Sequence, residues 1–498
     1  MKKWLVLTLA LVAMLAFTAC GGNDGGGAAA PPAGGAAPPP AGGAAQPPAG
    51  GAVAEVEGGF IVDGQFVRPT GPRGEGVEII IYGWNDELST AMERYKEMHP
   101  DFLFTFRPVT HFTDWDGSYE IGLNAALLAG GADAPHVFFV EQAFVVNYTQ
   151  YYFAHHALPY SELLGGDVHP FIERAQIPSF IVDAGTNRQG EVVGLGFQHT
   201  GSGFIYRRDL AAQIWGDAYL NDTALMTARI GGGSGNWNAF LTAAADADAA
   251  GVSMLSDMED AWQAIRQSPN PWIQNDRLVI DDQRMSYLDI GKALYQGGFT
   301  NVGGTWNDSW FADMSGTGAR PVLGFLGPAW LINYVIAGNS GDTYGNWGLV
   351  AAPDPFAWGG TWSIVNRAAS DEVRAGLAEL IYWLKLDTSD TGFLYMFGGG
   401  TLYDDSAIDY FLAMDMVSSA VVQDRLSPYL PFLGGQNMAP VFLEAGRTFS
   451  SSGWGPFDRE INGSFGDWAM AYFRDEMTRD EMLAAFRQEI LDTLDIRS

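Results

Sequence analysis

From Val77 onward the chain alternates β-branched or aromatic runs with amphipathic stretches, and this alternation limits its architecture more than any other feature. Val77-Glu78-Ile79-Ile80-Ile81-Tyr82 is dense in β-branched residues and reads as a buried strand. Asn85-Asp86 offers a helix cap. Leu88, Ala91, Tyr95 and Met98 then recur at helical spacing until Pro100 stops the helix. Phe102 to Phe106 reads as a second strand. Tyr119 to Ala129 reads as a helix with Ile121, Ala125 and Leu128 on one face, closed by Gly130-Gly131. His136 to Val140 is a third strand. Strand, helix, strand, helix, strand implies right-handed crossovers and a parallel sheet, hence an α/β protein. Ligands of such sheets lie at the carboxyl ends of the strands. Here those ends carry Trp84 and Asn85, then His111 to Trp115, then Glu141 and Gln142.

The same grammar continues. Strands are expected at Val192–Phe197, Phe204–Tyr206, Val322–Phe325, Trp347–Ala352 and Thr361–Val365. Helices are expected at Asp257–Ile265, Tyr287–Tyr295, Ser370–Leu386 and Arg474–Leu494, with another running from Gly327-Pro328-Ala329-Trp330 to Ile336. Gly297 to Phe311 reads as a loop. With 498 residues and 47% hydrophobic content, the chain can bury large cores in two or more domains.

The amino end is of another kind. Lys2 and Lys3 precede an uncharged apolar run from Trp4 to Phe17, too short to span a bilayer as a mature helix, and small residues follow. This is the form of a secretory signal. Cys20, the only cysteine, stands at the cut, and Thr18-Ala19-Cys20 resembles the lipobox of bacterial lipoproteins, with Phe17 where that motif usually has Leu. The resemblance implies that Cys20 is lipidated and anchors the chain at a cell surface or in a periplasm. Gly21 to Ala54 is almost wholly Gly, Ala and Pro, cannot form a core, and reads as a tether reaching on the order of 30 Å. Beyond Phe17 no apolar run is long enough for a transmembrane helix.

Charge excludes some partners. The net charge of -31, from 27 basic and 58 acidic residues, repels nucleic acid and anionic lipid. A lone cysteine leaves no disulfide framework. The seven histidines lack metal-ligand spacing, and there is no G-x-S-x-G and no P-loop, so no metal, cofactor or catalytic residue is expected.

Several segments together resemble the extracellular solute-binding proteins of ABC transporters, in the sugar-binding group that includes maltose-binding protein. They are Tyr95-Lys96-Glu97-Met98-His99-Pro100, Leu127 to Pro135, Val193-Gly194-Leu195-Gly196-Phe197 with Phe204 to Leu210, Val322 to Trp330, and Gly348 to Pro353 with Gly359 to Ile364. The resemblance covers more than four-fifths of the chain. His136, Gly196 and Arg207 depart from the family pattern. It implies a two-lobed periplasmic-binding-protein-like fold of type II with the ligand cleft between lobes. The expected division is 1–20 leader, 21–54 linker, 55–76 extension, 77–170 with 346–386 lobe one, and 171–345 with 387–498 lobe two. It further implies a monomer that captures a small-molecule solute, a sugar, by hinge closure and delivers it to ABC permease subunits.

A sugar needs flat apolar faces and directional polar groups. Trp84, Trp306, Trp330 and Trp362, with the backbone at Gly360, are the candidate walls, and Asn85, Glu141, Gln142 and His199 the candidate hydroxyl partners. Each Trp could instead fill core, as could Trp310, and Glu141 could instead cap a helix. Asp114 and Asp116 read as solvated loop charges. Competing readings are the same fold with a polyamine or peptide ligand, a sensor that presents ligand to a membrane receptor, and a secreted carbohydrate-active enzyme, which would need two carboxylates facing each other across a cleft.

Overall fold

The computed structural model describes residues 60–110, 117–402, 415–426 and 429–494. In chain order the elements that build the site are β1 (Glu78–Gly83), α1 (Glu87–Met98), β2 (Thr105–Thr110), α2 (Ser118–Ala129), β3 (Val137–Glu141), β4 (Gly194–Gly196), β5 (Gly203–Arg207), β6 (Ser253–Leu255), α3 (Met258–Ile265), α4 (Asp308–Ser315), β7 (Val322–Gly327), β8 (Trp347–Ala351), β9 (Thr361–Val365), α5 (Asp371–Lys385) and α6 (Asp458–Phe473).

Two sheets organise them. One has five strands in the order β2-β1-β3-β9-β4, and the other four in the order β8-β5-β7-β6. β1 runs parallel to both β2 and β3, as the strand–helix alternation requires. β9 then enters antiparallel to β3, with Thr361 opposite Glu141, and β4 lies antiparallel to β9. In the second sheet β5 is flanked by antiparallel β7 and β8, and only β6 runs parallel to β7. Each sheet has its own core. Ile79, Phe138, Trp362, Leu377 and Ile381 belong to the first, and Phe204, Leu323, Phe325, Trp347 and Phe465 to the second.

The division of the chain between the cores departs from the expected one in three places. Residues 171–197 belong to the first lobe: Phe171, Phe180 and Ile181 enter its core, and β4 pairs with β9. Gly196 makes that pairing close, because a Cβ there would stand 3.4 Å from the Trp362 ring. Conversely β8, expected in lobe one, pairs with β5 in the second sheet. Beyond α5, residues expected in lobe two enter the first core, among them Phe393, Phe397, Leu402, Val417 and Val422. β9 and α5 lie in the first lobe and α6 in the second, as expected.

The chain passes from the first core to the second at 197–202 and back at 352–360, and these two crossings bond to each other and to the segment 415–418 beside them. Gln198 pairs with Val417 and Gly201 with Ala357. His199 N donates to Met416 O (2.8 Å), Ser418 N to Phe197 O (2.7 Å) and Trp358 N to Thr200 O (3.1 Å). The side chains of His199, Thr200 and Ser418 are buried here with no hydrogen-bond partner among the described residues, as are those of Thr361 and Ser363 in β9.

Two further differences have clear causes. On α2 the face bearing Ile121 and Leu128 points outward, 70% and 71% exposed, while Tyr119, Leu123 and Leu127 face the core. Both faces of this helix are apolar, so periodicity could not choose between them. The extension folds from Phe60. Its hairpin, Ile61–Val62 with Gln65–Phe66, lays Phe66 on Tyr382 of α5 at 3.8 Å between ring centroids. Arg73 forks onto the buried Glu379 (Nε–Oε1 2.6 Å) and also reaches Asp101 (2.6 Å).

Candidate functional site between the lobes

The carboxyl ends of β1 and β3 face the second lobe. After β1, Asn85 Oδ1 accepts from Glu87 N (3.2 Å), a local turn that opens α1. Glu87 Oε1 accepts a hydrogen bond from Tyr334 Oη (3.1 Å), which joins the two lobes. Trp84 is half-buried against the first core, and its indole N–H has no partner among the described residues. After β3, Glu141 Oε2 accepts from Ala143 N (2.7 Å), so the capping alternative for this residue holds in part. Gln142 Oε1 accepts from Gly359 N (2.7 Å), and its amide donates to Gln267 Oε1 (3.4 Å) beyond α3. The same Gln267 oxygen accepts from Trp454 Nε1 (2.9 Å). A third link between lobes is the ion pair of Arg459 with Glu120.

The second lobe supplies aromatic surface. Trp330 precedes a π-helical turn, Leu331–Ile336, a geometry that is rare and frequent at functional sites. Tyr334, four residues on, shares its face. Trp330 Nε1 donates to Trp358 O (2.8 Å), and the two rings meet edge to face at 4.8 Å. Trp306 lies nearly parallel to Trp330, 6.0 Å between centroids and 14° between planes, and edge-on to Trp358 at 6.1 Å. Trp306 has φ +58°, a left-handed backbone that bulky residues seldom adopt. Gly359, at φ +78°, lets the crossing press against this cluster, since a Cβ would stand 2.9 Å from Trp330 Nε1. Gln142, Gly359, Trp358, Trp330 and Trp306 thus form one connected group where the lobes meet.

Other candidates stand elsewhere. Trp362 is a core residue, 1% exposed, packed edge to face with Trp454 and donating to Ile181 O (2.9 Å). Trp310 is fully buried behind Trp306. Gly360 serves the crossing: at φ +104° its missing Cβ makes room for Thr200. His199 lies within the crossings, edge-on to Phe180 and against Gly446, with its imidazole pushed down to about 4 by burial. Cys20, Asp114 and Asp116 lie outside the described residues. Trp358 was not anticipated. Its signal was available in Trp358-Gly359-Gly360, an aromatic residue before a glycine pair that turns the chain between lobes.

The electrostatics of the junction are those of a dry place. Burial pushes the carboxyls of Glu87, Glu141 and Asp415 each up to about 7. Asp415 raises Glu87 further, while the Tyr334 bond and Lys385 oppose the rise. The Lys385 ammonium is fully buried, has no hydrogen-bond partner among the described residues, and sits 4.9 Å over the Phe197 ring; burial pulls it well below the ordinary lysine range. Arg266 is likewise lowered by burial, against the pull of Glu259 and Glu141. Aromatic faces beside amides and carboxyls whose ionisation burial disfavours suit an uncharged, hydroxyl-rich molecule. No group of three or more His, Cys, Asp or Glu among the described residues could hold a metal ion. No described helix is long and apolar enough to cross a membrane.

No protein-family model and no curated protein matches the chain. Solved structures do. An extracellular solute-binding protein of family 1 superposes with a TM-score of 0.64 at 18% identity, covering 83% of this chain and 98% of the other. The galacto-N-biose-/lacto-N-biose I-binding protein of the ABC transporter from Bifidobacterium longum, in complex with lacto-N-biose, gives 0.59 at 16%, covering 85% and 98%. Maltose-bound MalE3 of T. maritima gives 0.54 at 15%, covering 83% and 98%. The chain has the two-lobed fold of periplasmic binding proteins.

Proposed function

We propose that this chain is the substrate-binding lipoprotein of an ABC importer, which captures a sugar or oligosaccharide between its lobes and presents it to membrane permease subunits. One observation carries the reading: Trp306, Trp330 and Trp358 gather at the lobe junction beside Gln142 and a half-buried Glu141 whose pKa is pushed up to about 7. Indole faces stack on the C–H faces of a pyranose, while amide and carboxyl groups bond its hydroxyls. Structural neighbours in complex with lacto-N-biose, β-1,6-galactobiose and maltose support the reading at the level of fold. The role is binding rather than catalysis. The protein acts as a monomer, and contact with the membrane is made only through lipid on Cys20, at a cell surface or in a periplasm. The hinge works by population shift: a ligand that touches both lobes favours the closed arrangement by its difference in affinity for the two states.

A thermal-shift panel tests this. Ligands that bind the native state raise the melting temperature by mass action. Maltose, lacto-N-biose, β-1,6-galactobiose and monosaccharides are compared with spermidine and short peptides. The expected outcome is a shift with at least one sugar. A shift with spermidine or peptides and with no sugar sinks the carbohydrate reading and leaves the same fold serving another solute.

A further inference from the structure

We propose that Asp257, which caps α3, and Glu259, in its first turn, are positioning residues that fix the ring of Trp306 at the lobe junction. The proposal rests on the carbohydrate reading for its consequence in binding, not for its geometry. The loop from 297 to 307 holds two L-residues in left-handed backbone, Val302 at φ +55° and Trp306 at φ +58°. Such residues are strained and persist only where their surroundings over-determine them. The surroundings here are specific. Gly304 N donates to Asp257 Oδ2 (2.8 Å), and Thr305 Oγ1 donates to Glu259 Oε2 (2.5 Å). These two bonds fall on the residues immediately before Trp306. Further back, Asn301 is held by Ser253 and Asp313. Just after, Asn307 caps α4 through Ser309 N and Trp310 N.

Neither acid is spent on the loop alone. Asp257 Oδ1 accepts from Glu259 N (3.0 Å), and Asp257 with Asp260 forms a reciprocal capping box. Negative side chains are favoured at a helix N-terminus, so α3 and the loop stabilise one arrangement together. The other end of α3 leads to Arg266, whose charge both Glu259 and Glu141 attract. One helix therefore carries the ring of Trp306 at its start and a cation that Glu141 feels from the opposite lobe at its end.

The test uses the protein labelled with 5-fluorotryptophan, the Trp306 fluorine resonance being assigned by its loss in Trp306→Phe. Thr305→Val removes the hydroxyl at nearly constant volume, and Thr305→Ser returns it. The Trp306 resonance should shift and broaden in Thr305→Val and in Asp257→Asn, and recover in Thr305→Ser. Resonances of the core residues Trp237 and Trp272 should stay in place. For maltose or lacto-N-biose, whichever the parent protein binds, Kd should rise about tenfold in Thr305→Val and recover in Thr305→Ser, the loss expected for a misplaced anchor ring. An unmoved Trp306 resonance in both Thr305→Val and Asp257→Asn overturns the proposal. A resonance that moves while Kd does not removes Trp306 from the binding surface and overturns it also. If the resonance moves and recovers but the parent binds neither sugar, the clamp stands and the carbohydrate reading fails.

Discussion

Glu141→Gln offers a sharp test of the junction's electrostatics, because its outcome does not depend on knowing the ligand. The Glu141 carboxyl is half-buried and pushed up to about 7 from its ordinary 4.5, mainly by burial. A carboxyl whose pKa is higher folded than unfolded binds its proton more tightly in the native state. Its stabilising contribution is therefore present at low pH and is lost as pH rises from about 4.5 through about 7. At about 1.4 kcal/mol per pH unit the full loss is about 3 kcal/mol. Solvent screening of a half-buried group reduces that to roughly 1–3 kcal/mol. Glutamine keeps an oxygen for Ala143 N and cannot ionise. The variant should melt close to the parent at pH 5 and higher than the parent at pH 8, by a few degrees at about 1–2 °C per kcal/mol for a body this large. Calorimetry of both proteins across pH 5 to 8 measures the difference directly. An equal offset at both pH values, or a less stable variant at pH 8, would mean that Glu141 is ionised in a favourable pairing with Arg266 and Arg459, and the burial argument would be wrong.

Other outcomes are expected from the same geometry. Trp330→Ala should weaken the best-bound sugar by about 1–3 kcal/mol in isothermal titration, and unchanged affinity in a folded variant removes Trp330 from the site. Trp362→Ala should cost about 3–5 kcal/mol of stability by denaturant unfolding; a change under about 1 kcal/mol contradicts its core placement. Tyr334→Phe removes the bond to Glu87 and should shift the lobes toward opening by about 0.5–1.5 kcal/mol, visible as a larger radius of gyration than the parent's in small-angle scattering; a profile identical to the parent's argues against that latch. Cys20→Ser should release the protein to the medium or leave its precursor uncut, whereas membrane retention of a processed form refutes the lipid anchor.

Much of the fold was legible because the first sheet is built from local signals. The β-branched run at Val77–Tyr82 and the Val- and Phe-rich run at His136–Val140 could only be strands, and the helices between them could only cross over. The lobe boundaries were less so. β4 is three residues long, Gly-Leu-Gly, and joins the first sheet because of what it meets in Trp362, which no local pattern records. The site was half legible. Gly-Pro-Ala-Trp330 announces a helix entry with an aromatic residue on it. Trp362 announces itself equally well after Gly-Gly, yet it sits in a strand with neighbours on both sides and helix 179–184 beneath. Trp358 was hidden by the opposite effect, since it stands outside any regular element and finds its partners only when the crossing brings it to Trp330. His199 read as a hydroxyl partner because nothing in its surroundings in sequence shows that Gly446 and Phe180 enclose it.

The segments that join the lobes hold one another by backbone bonds, His199 N to Met416 O, Ser418 N to Phe197 O and Trp358 N to Thr200 O. Farther out the lobes meet through side chains, Tyr334 to Glu87, Gln142 to Gln267 and Arg459 to Glu120. Bonds within a joint turn with it, whereas side-chain bonds at its rim must part before the lobes swing. The joint is thus the pin of a door and the rim contacts are its catch. A substitution at the catch changes how often the door stands open, and one in the pin changes whether it swings true.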